Sequence, residues 1–161
     1  MQDQSNFWLM KTEPEVFSFD DLVKAPKKST FWDGVRNYQA RNFMVKDFKV
    51  GDQVFVYHSG TDEPAIVGIA KVSKLATADP TQWDPQSDYF DKSSKRDEPR
   101  WFGVEIQAVS VFESPITLAE LKGMPQLKDM ALLQRGQRLS VQPVTSDEWH
   151  VVRSLKKTRL V

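Results

Sequence analysis

The fold turns on the stretch Gln53-Val54-Phe55-Val56-Tyr57-His58, closed by Ser59-Gly60-Thr61-Asp62-Glu63-Pro64 and answered by Ala65-Ile66-Val67-Gly68-Ile69-Ala70-Lys71-Val72. Both flanks are rich in β-branched and aromatic side chains, and Gly60 to Pro64 supplies a turn, so the stretch is a β-hairpin. Outward from it, Trp101 to Phe112 alternates as a half-buried strand does. Val104, Ile106, Ala108 and Ser110 share one face, and Glu105 and Gln107 the other. Phe7-Trp8-Leu9-Met10-Lys11 is a short apolar strand closed by Glu13-Pro14, and Arg138 to Gln142 is a short strand near the other end. The helices are brief. Ser18 opens one over Phe19 to Val23, with acidic residues in the first turn, and Pro26 stops it. Phe31 to Tyr38, broken by Gly34, is a loop, and Gln39 to Asp47 is helical with Ala40, Phe43 and Met44 on one side. Thr117 to Glu120 and Thr145 to Glu148 both spell capping boxes. Gly123 ends the first of these helices, and Trp149, Val152 and Leu155 recur at helical spacing in the second. Hairpins and short helices in place of repeated βαβ units indicate an α+β domain around a mostly antiparallel, barrel-like sheet, and exclude a doubly wound fold.

The chain has 161 residues, 40% hydrophobic and 27% charged, with no repeat and no Gly/Ser-rich linker, so it is expected to be a single domain over 1–161. It contains no cysteine, which excludes disulfides, thiolate catalysis, iron–sulfur clusters and Cys-ligated zinc. His58 and His150 are its two histidines, so an all-His metal site is excluded as well, and neither a metal nor a cofactor is expected. There is no run of 18 apolar residues, and Met1 to Asn6 lacks the basic and apolar regions of a leader. The expectation is a soluble, cytoplasmic protein without a membrane partner. Formal net charge is +0, which argues against a polycation that coats nucleic acid. Charge is nevertheless uneven: Lys24 to Lys49 carries a net +5 and Asp79 to Glu98 a net −3.

Enzyme signatures with demanding spacings are missing, among them the phosphate-binding Gly-Lys-Ser/Thr loop, G-x-G-x-x-G, H-E-x-x-H and G-x-S-x-G. His58 and Ser59 are strand neighbours that point to opposite faces, which works against a base–nucleophile pair. Thr30 to Asn42 gathers Trp32, Tyr38, Asn37, Gln39, Arg36 and Arg41 into a loop and helix start. Aromatic rings can stack on a base, amides can pair with its edge and guanidiniums can hold phosphate. The same residues also suit a plainer role, with Trp32 and Tyr38 in the core and Asn37 as a helix cap. Trp8, Phe55, Phe112 and Trp149 sit in regular elements and are expected to pack inward. Asp79 to Arg100, with Trp83, Tyr89 and Phe90 ahead of Trp101, is long enough to be a lid or selectivity element, or a surface excursion.

The run Trp32-Asp33-Gly34-Val35-Arg36-Asn37-Tyr38-Gln39-Ala40-Arg41-Asn42 resembles the signature of the EVE domain family. Trp8 to Pro14, Phe55 to Ser59, Pro64 to Gly68 and Arg138 to Pro143 supply supporting pieces in matching order. The resemblance implies a PUA-like fold and a non-enzymatic reader of a modified base, with modified cytosine in DNA favoured as partner and RNA possible. By that resemblance Trp32, Asn37 and Tyr38 line the base pocket, with Lys11, His58 and Ser59 at its mouth, and Arg36, Arg41 and Arg138 contact phosphate. The base would be held flipped out of its stack, as chemistry or recognition at a paired base requires. Competing readings are an RNA-binding PUA-like module, a nucleobase enzyme using His58, Tyr38 and one of the carboxylates as acid and base, and a protein-interaction module presenting Asp79 to Glu98.

Overall fold

A computed structural model describes residues 6–161; the leader reading of the first residues falls largely on 1–5, outside the described residues. Among the described residues there are seven strands: β1 (Phe7–Thr12), β2 (Ser29–Phe31), β3 (Gln53–His58), β4 (Ala65–Ala78), β5 (Phe102–Thr117), β6 (Val141–Val144) and β7 (Thr158–Leu160). The helices are α1 (Phe19–Lys24), α2 (Tyr38–Asn42), α3 (Leu118–Lys122) and α4 (Ser146–Leu155), with short 3-10 turns between elements. The architecture is α+β, one sheet in the order β2-β5-β4-β3-β1-β6, with β7 sharing the outer edge of β5 with β2. Every pairing is antiparallel except β1 with β3. That parallel pair needs a crossover, and α1, β2 and α2 provide it.

The central strands are apolar on both faces because both faces are covered. Trp8 and Met10 of β1, with Val54 and Val56 of β3, pack against Leu22, Trp32, Ala40 and Met44. Leu9 and Phe55 point the other way, onto Leu121, Leu127, Trp149 and Val152. Strands buried twice read as continuous apolar runs, which is why the hairpin was so legible. The Trp149 ring stacks 3.7 Å from that of Phe55, and Trp8 Nε1–H donates to Asp52 Oδ2 at 2.9 Å. Asp52 is fully buried, and the backbone N–H groups of Asn6 and Lys49 complete its partners. Trp8, Phe55, Phe112 and Trp149 are all core residues, as expected.

Helix starts follow the local signals. Ser18, Thr117 and Thr145 each close a capping box, with Asp21, Glu120 and Glu148 respectively. Three expectations need correction. The strand expected over Arg138 to Gln142 lies at Val141–Val144, where Pro143 is tolerated because β6 is an edge that pairs with β1. The helix expected over Gln39 to Asp47 is one α-turn followed by a wider turn, in which Phe48 N–H reaches Phe43 O. β2 occupies Ser29 to Phe31, so the loop begins one residue later than expected. Among the described residues no helix is long and apolar enough to cross a membrane.

Candidate nucleic-acid interface

A cleft of about 700 Å³ opens where the two ends of the sheet approach each other. The C-terminal end of β1 and the lead-in to β6 form one side through Lys11, Thr12, Arg138 and Ser140. β2 and the loop after it form the other, through Thr30, Trp32, Asp33 and Gly34. Phe17, Ser59 and Tyr89 also line it, as do the carboxylates Glu13 and Asp88. The volume suits one small ligand, and apolar rings with a few polar groups are the usual lining of such a site.

Trp32 is fixed from both sides. Its backbone N–H donates to Val104 O at 2.8 Å, and its carbonyl lies against Gly103, where a Cβ would collide with that oxygen. The Trp32 indole meets Phe17 edge-on, with centroids 6.3 Å apart. Gly34 adopts φ +83°, a conformation glycine takes without cost, and donates its N–H to Asp79 Oδ2 at 2.8 Å. A side chain there would also strike the Tyr89 ring, 2.6 Å from the position of a Cβ. Tyr89 thus lies flat on Gly34, bringing the long 79–100 segment into the cleft as a wall.

Arg36 clamps that segment. Its Nε donates to Tyr89 O at 3.0 Å, Nη2 donates to Tyr89 O at 2.8 Å and Thr81 Oγ1 at 3.0 Å, and Nη1 donates to Asp79 Oδ2 at 3.0 Å. Asp79 is fully buried. Burial alone would raise its pKa, but hydrogen bonds from Thr81, Gly34 and Arg36 together hold the carboxyl below its ordinary range. Gln82, also fully buried, donates to Asp79 O and Trp101 O and ties the two ends of the segment together. Trp101 Nε1–H donates to Asp91 Oδ2 at 2.8 Å. Ser93 and Trp101, in that order, hold the Asp91 pKa down to about 2.

The electrostatics inside the cleft are mixed. Burial lowers the pKa of the half-buried Lys11 ammonium, which makes no ion pair among the described residues. Asp33 is exposed as a residue, yet partial burial of its carboxyl and the neighbouring Asp79 charge raise its pKa, against the pull of Arg36. The Tyr89 phenol is raised by burial and then by Asp33, Asp88 and Glu13.

A model of the EVE domain matches residues 6–155. The chain belongs to the EVE domain family. Human thymocyte nuclear protein 1 is 44% identical over 98% of this chain and 76% of its own length. A crystal structure of the human THYN1 protein in complex with DNA containing 5-methylcytosine is 45% identical, with TM-score 0.88 over 92% of this chain and 95% of that one. A crystal structure of a Pseudomonas syringae protein is 44% identical, with TM-score 0.86 over 91% and 96%. The PUA-like fold expected of an EVE domain is the fold observed.

Of the residues singled out in this EVE sequence, the structure brings Lys11, Trp32, Ser59 and Arg138 together in the cleft. The other five do not line it. Asn37 caps α2, accepting from Ala40 N–H at 3.0 Å, and His58 Nε2 accepts from Phe19 N–H at 3.0 Å, holding the start of α1. Tyr38 is stacked between Trp101, at 4.8 Å, and the Arg41 guanidinium, at 4.7 Å. Arg41 also donates to Arg100 O, and Arg36 spends its donors inside the protein. Phe17, Asp33 and Tyr89 are among the lining residues that the sequence does not single out. Asp33 follows Trp32 in sequence, Phe17 meets the Trp32 indole edge-on, and Tyr89 lies in the segment that reads as either a lid or a surface excursion.

Proposed function

We propose that this single EVE domain reads 5-methylcytosine in DNA, taking the extruded base into the cleft walled by Trp32, Phe17 and Tyr89. The observation that carries the reading is the 45% identical human relative crystallised with DNA containing 5-methylcytosine, whose fold this chain shares across 92% of its length. The cleft has the chemistry the reading needs. Unstacking a base costs a few kcal/mol, and stacking on an aromatic platform returns about 1–3 kcal/mol per base before edge hydrogen bonds are counted. Lys11 and Arg138 stand at the cleft with no ion-pair partner among the described residues, placed to meet the flanking phosphates. The protein acts by binding and not by catalysis. His58, the histidine nearest the cleft in sequence, uses its Nε2 lone pair on Phe19 N–H, which leaves it unsuited to act as a base there.

The test is fluorescence anisotropy with labelled duplexes that differ at one position, cytosine or 5-methylcytosine, and with the matching RNA. Wild type is expected to favour the methylated DNA, and Tyr89→Leu and Trp32→Phe to weaken binding by about 10-fold each through lost stacking. Trp32→Phe retains a ring in the core, which keeps the result interpretable. DNA recovered afterwards is expected to be chemically unchanged. Equal binding of methylated and unmethylated duplexes would refute the reading.

A further inference from the structure

We propose that the Asp33 carboxylate reads the exocyclic amino group of the seated base, so that the cleft accepts cytosine-type bases and rejects keto bases such as thymine. The proposal rests on the cleft being a base pocket, and adds what chooses the base within it.

Three carboxylates stand at this cleft, and they are not equivalent. Glu13 sits in a turn, and Asp88 is exposed on the 79–100 segment. Asp33 lies between two residues whose backbones are pinned: Trp32 by its N–H on Val104 and its carbonyl on Gly103, and Gly34 by its N–H on Asp79. Its position is therefore set by the same bonds that set the Trp32 platform, one residue away. No side chain among the described residues donates to it, although Arg36 is near enough to act on its charge. The guanidinium that might have paired with Asp33 instead pairs with Asp79. A partly desolvated acceptor whose one donor is a backbone N–H, beside a stacking surface, leaves lone pairs for a ligand that brings an N–H. Carboxylates accept from the amino group of cytosine, whereas thymine places a carbonyl oxygen there and leaves like partial charges facing each other.

5-Methylcytosine and thymine carry the same 5-methyl group and differ at position 4, amino against oxo, with the matching change at N3. They therefore separate amine reading from methyl reading. The experiment measures binding of duplexes holding 5-methylcytosine opposite guanine or thymine opposite guanine, with unmethylated cytosine as a third arm. The mismatched thymine is the easier base to extrude, so the comparison is weighted against the proposal. Wild type is expected to prefer 5-methylcytosine to thymine by about 10- to 100-fold. Asp33→Asn, whose amide can also donate to a keto oxygen, is expected to bring that ratio down to about 1–3 with thermal stability retained. Glu13→Gln and Asp88→Asn are expected to leave it unchanged.

An Asp33→Asn protein that keeps the wild-type ratio would overturn the proposal, as would wild type that binds thymine as well as 5-methylcytosine. In either case a retained preference for 5-methylcytosine over cytosine leaves the pocket reading standing. Loss of that preference as well removes both.

Discussion

Arg36 lies in the signature loop and was expected to hold phosphate, whereas the structure gives its guanidinium to Asp79, Thr81 and Tyr89. Arg36→Ala separates the two roles. The Arg36–Asp79 pair is 3.0 Å long, with the two side chains 21% and 0% exposed, so removing the arginine leaves a carboxylate buried without its counter-ion. Breaking such a pair costs about 3–5 kcal/mol. Asp79 keeps three other donors, Gly34 N–H, Thr81 N–H and Thr81 Oγ1–H, which favours the lower end. At about 2–4 °C per kcal/mol for a domain of this size, 3 kcal/mol corresponds to a Tm lower by roughly 6–12 °C. DNA affinity falls as well, because Tyr89 loses its tether, but the dependence on salt should not change. Each lost phosphate contact, by contrast, flattens the slope of log K against log salt by about 0.9. Differential scanning fluorimetry and anisotropy titrations at several salt concentrations read both quantities. An unchanged Tm with a slope flatter by about 0.9 would refute the clamp and restore the phosphate role.

Gly103→Ala puts a methyl group against the Trp32 carbonyl and the Phe31 ring, and a backbone oxygen cannot swing aside as a flexible side chain can. The expected cost is about 1–3 kcal/mol in urea unfolding, with weaker DNA binding as Trp32 is displaced. A variant with wild-type stability and affinity would mean that the Trp32 platform is not fixed by β5. His58 has its pKa lowered by burial from 6.5, so above pH 6.5 it is neutral folded and unfolded and contributes no pH dependence. As pH falls below 6.5, the unfolded chain takes up a proton that the folded one resists, and stability declines. His58→Gln retains an acceptor for Phe19 N–H, and its stability should decline less over that range in urea melts; parallel curves for the two proteins would sink the argument.

What could be read from the sequence was whatever depends on near neighbours. The apolar runs of β1 and β3 and the threonine capping boxes at Thr117 and Thr145 are each complete within a few residues, and all were legible. The parallel pairing of β1 with β3 was not, because a strand's side-chain pattern does not encode the direction of its partner. The site was legible as a region and not as a list. The resemblance to the family signature is what points to Trp32, whose segment by composition also suits the core, and the Tyr89 ring on Gly34 joins residues 55 positions apart. Asn37 suited both a base edge and a helix cap, and the cap is where its side-chain oxygen is used. Only a count of Arg36's donors shows that its charge faces inward, and that count needs coordinates.

The charge asymmetry of the sequence acquires a different meaning once those donors are placed. A net +5 over Lys24 to Lys49 beside a net −3 over Asp79 to Glu98 suggests a basic face opposite an acidic one. In the fold the two stretches are docked on each other. Arg36 pairs with Asp79, Arg41 donates to Arg100 O at 2.9 Å, and Trp101, just beyond the acidic stretch, receives Tyr38 from the basic one. Opposite charge here holds the loop that carries Tyr89 into the cleft. Arg36 is therefore not available to phosphate, and on the proposed reading attraction to DNA comes from cations outside ion pairs, Lys11 and Arg138 at the cleft among them. On the proposed reading, selectivity rests on what the cleft offers one base: the Trp32 indole, the Tyr89 ring on Gly34, and the Asp33 carboxylate.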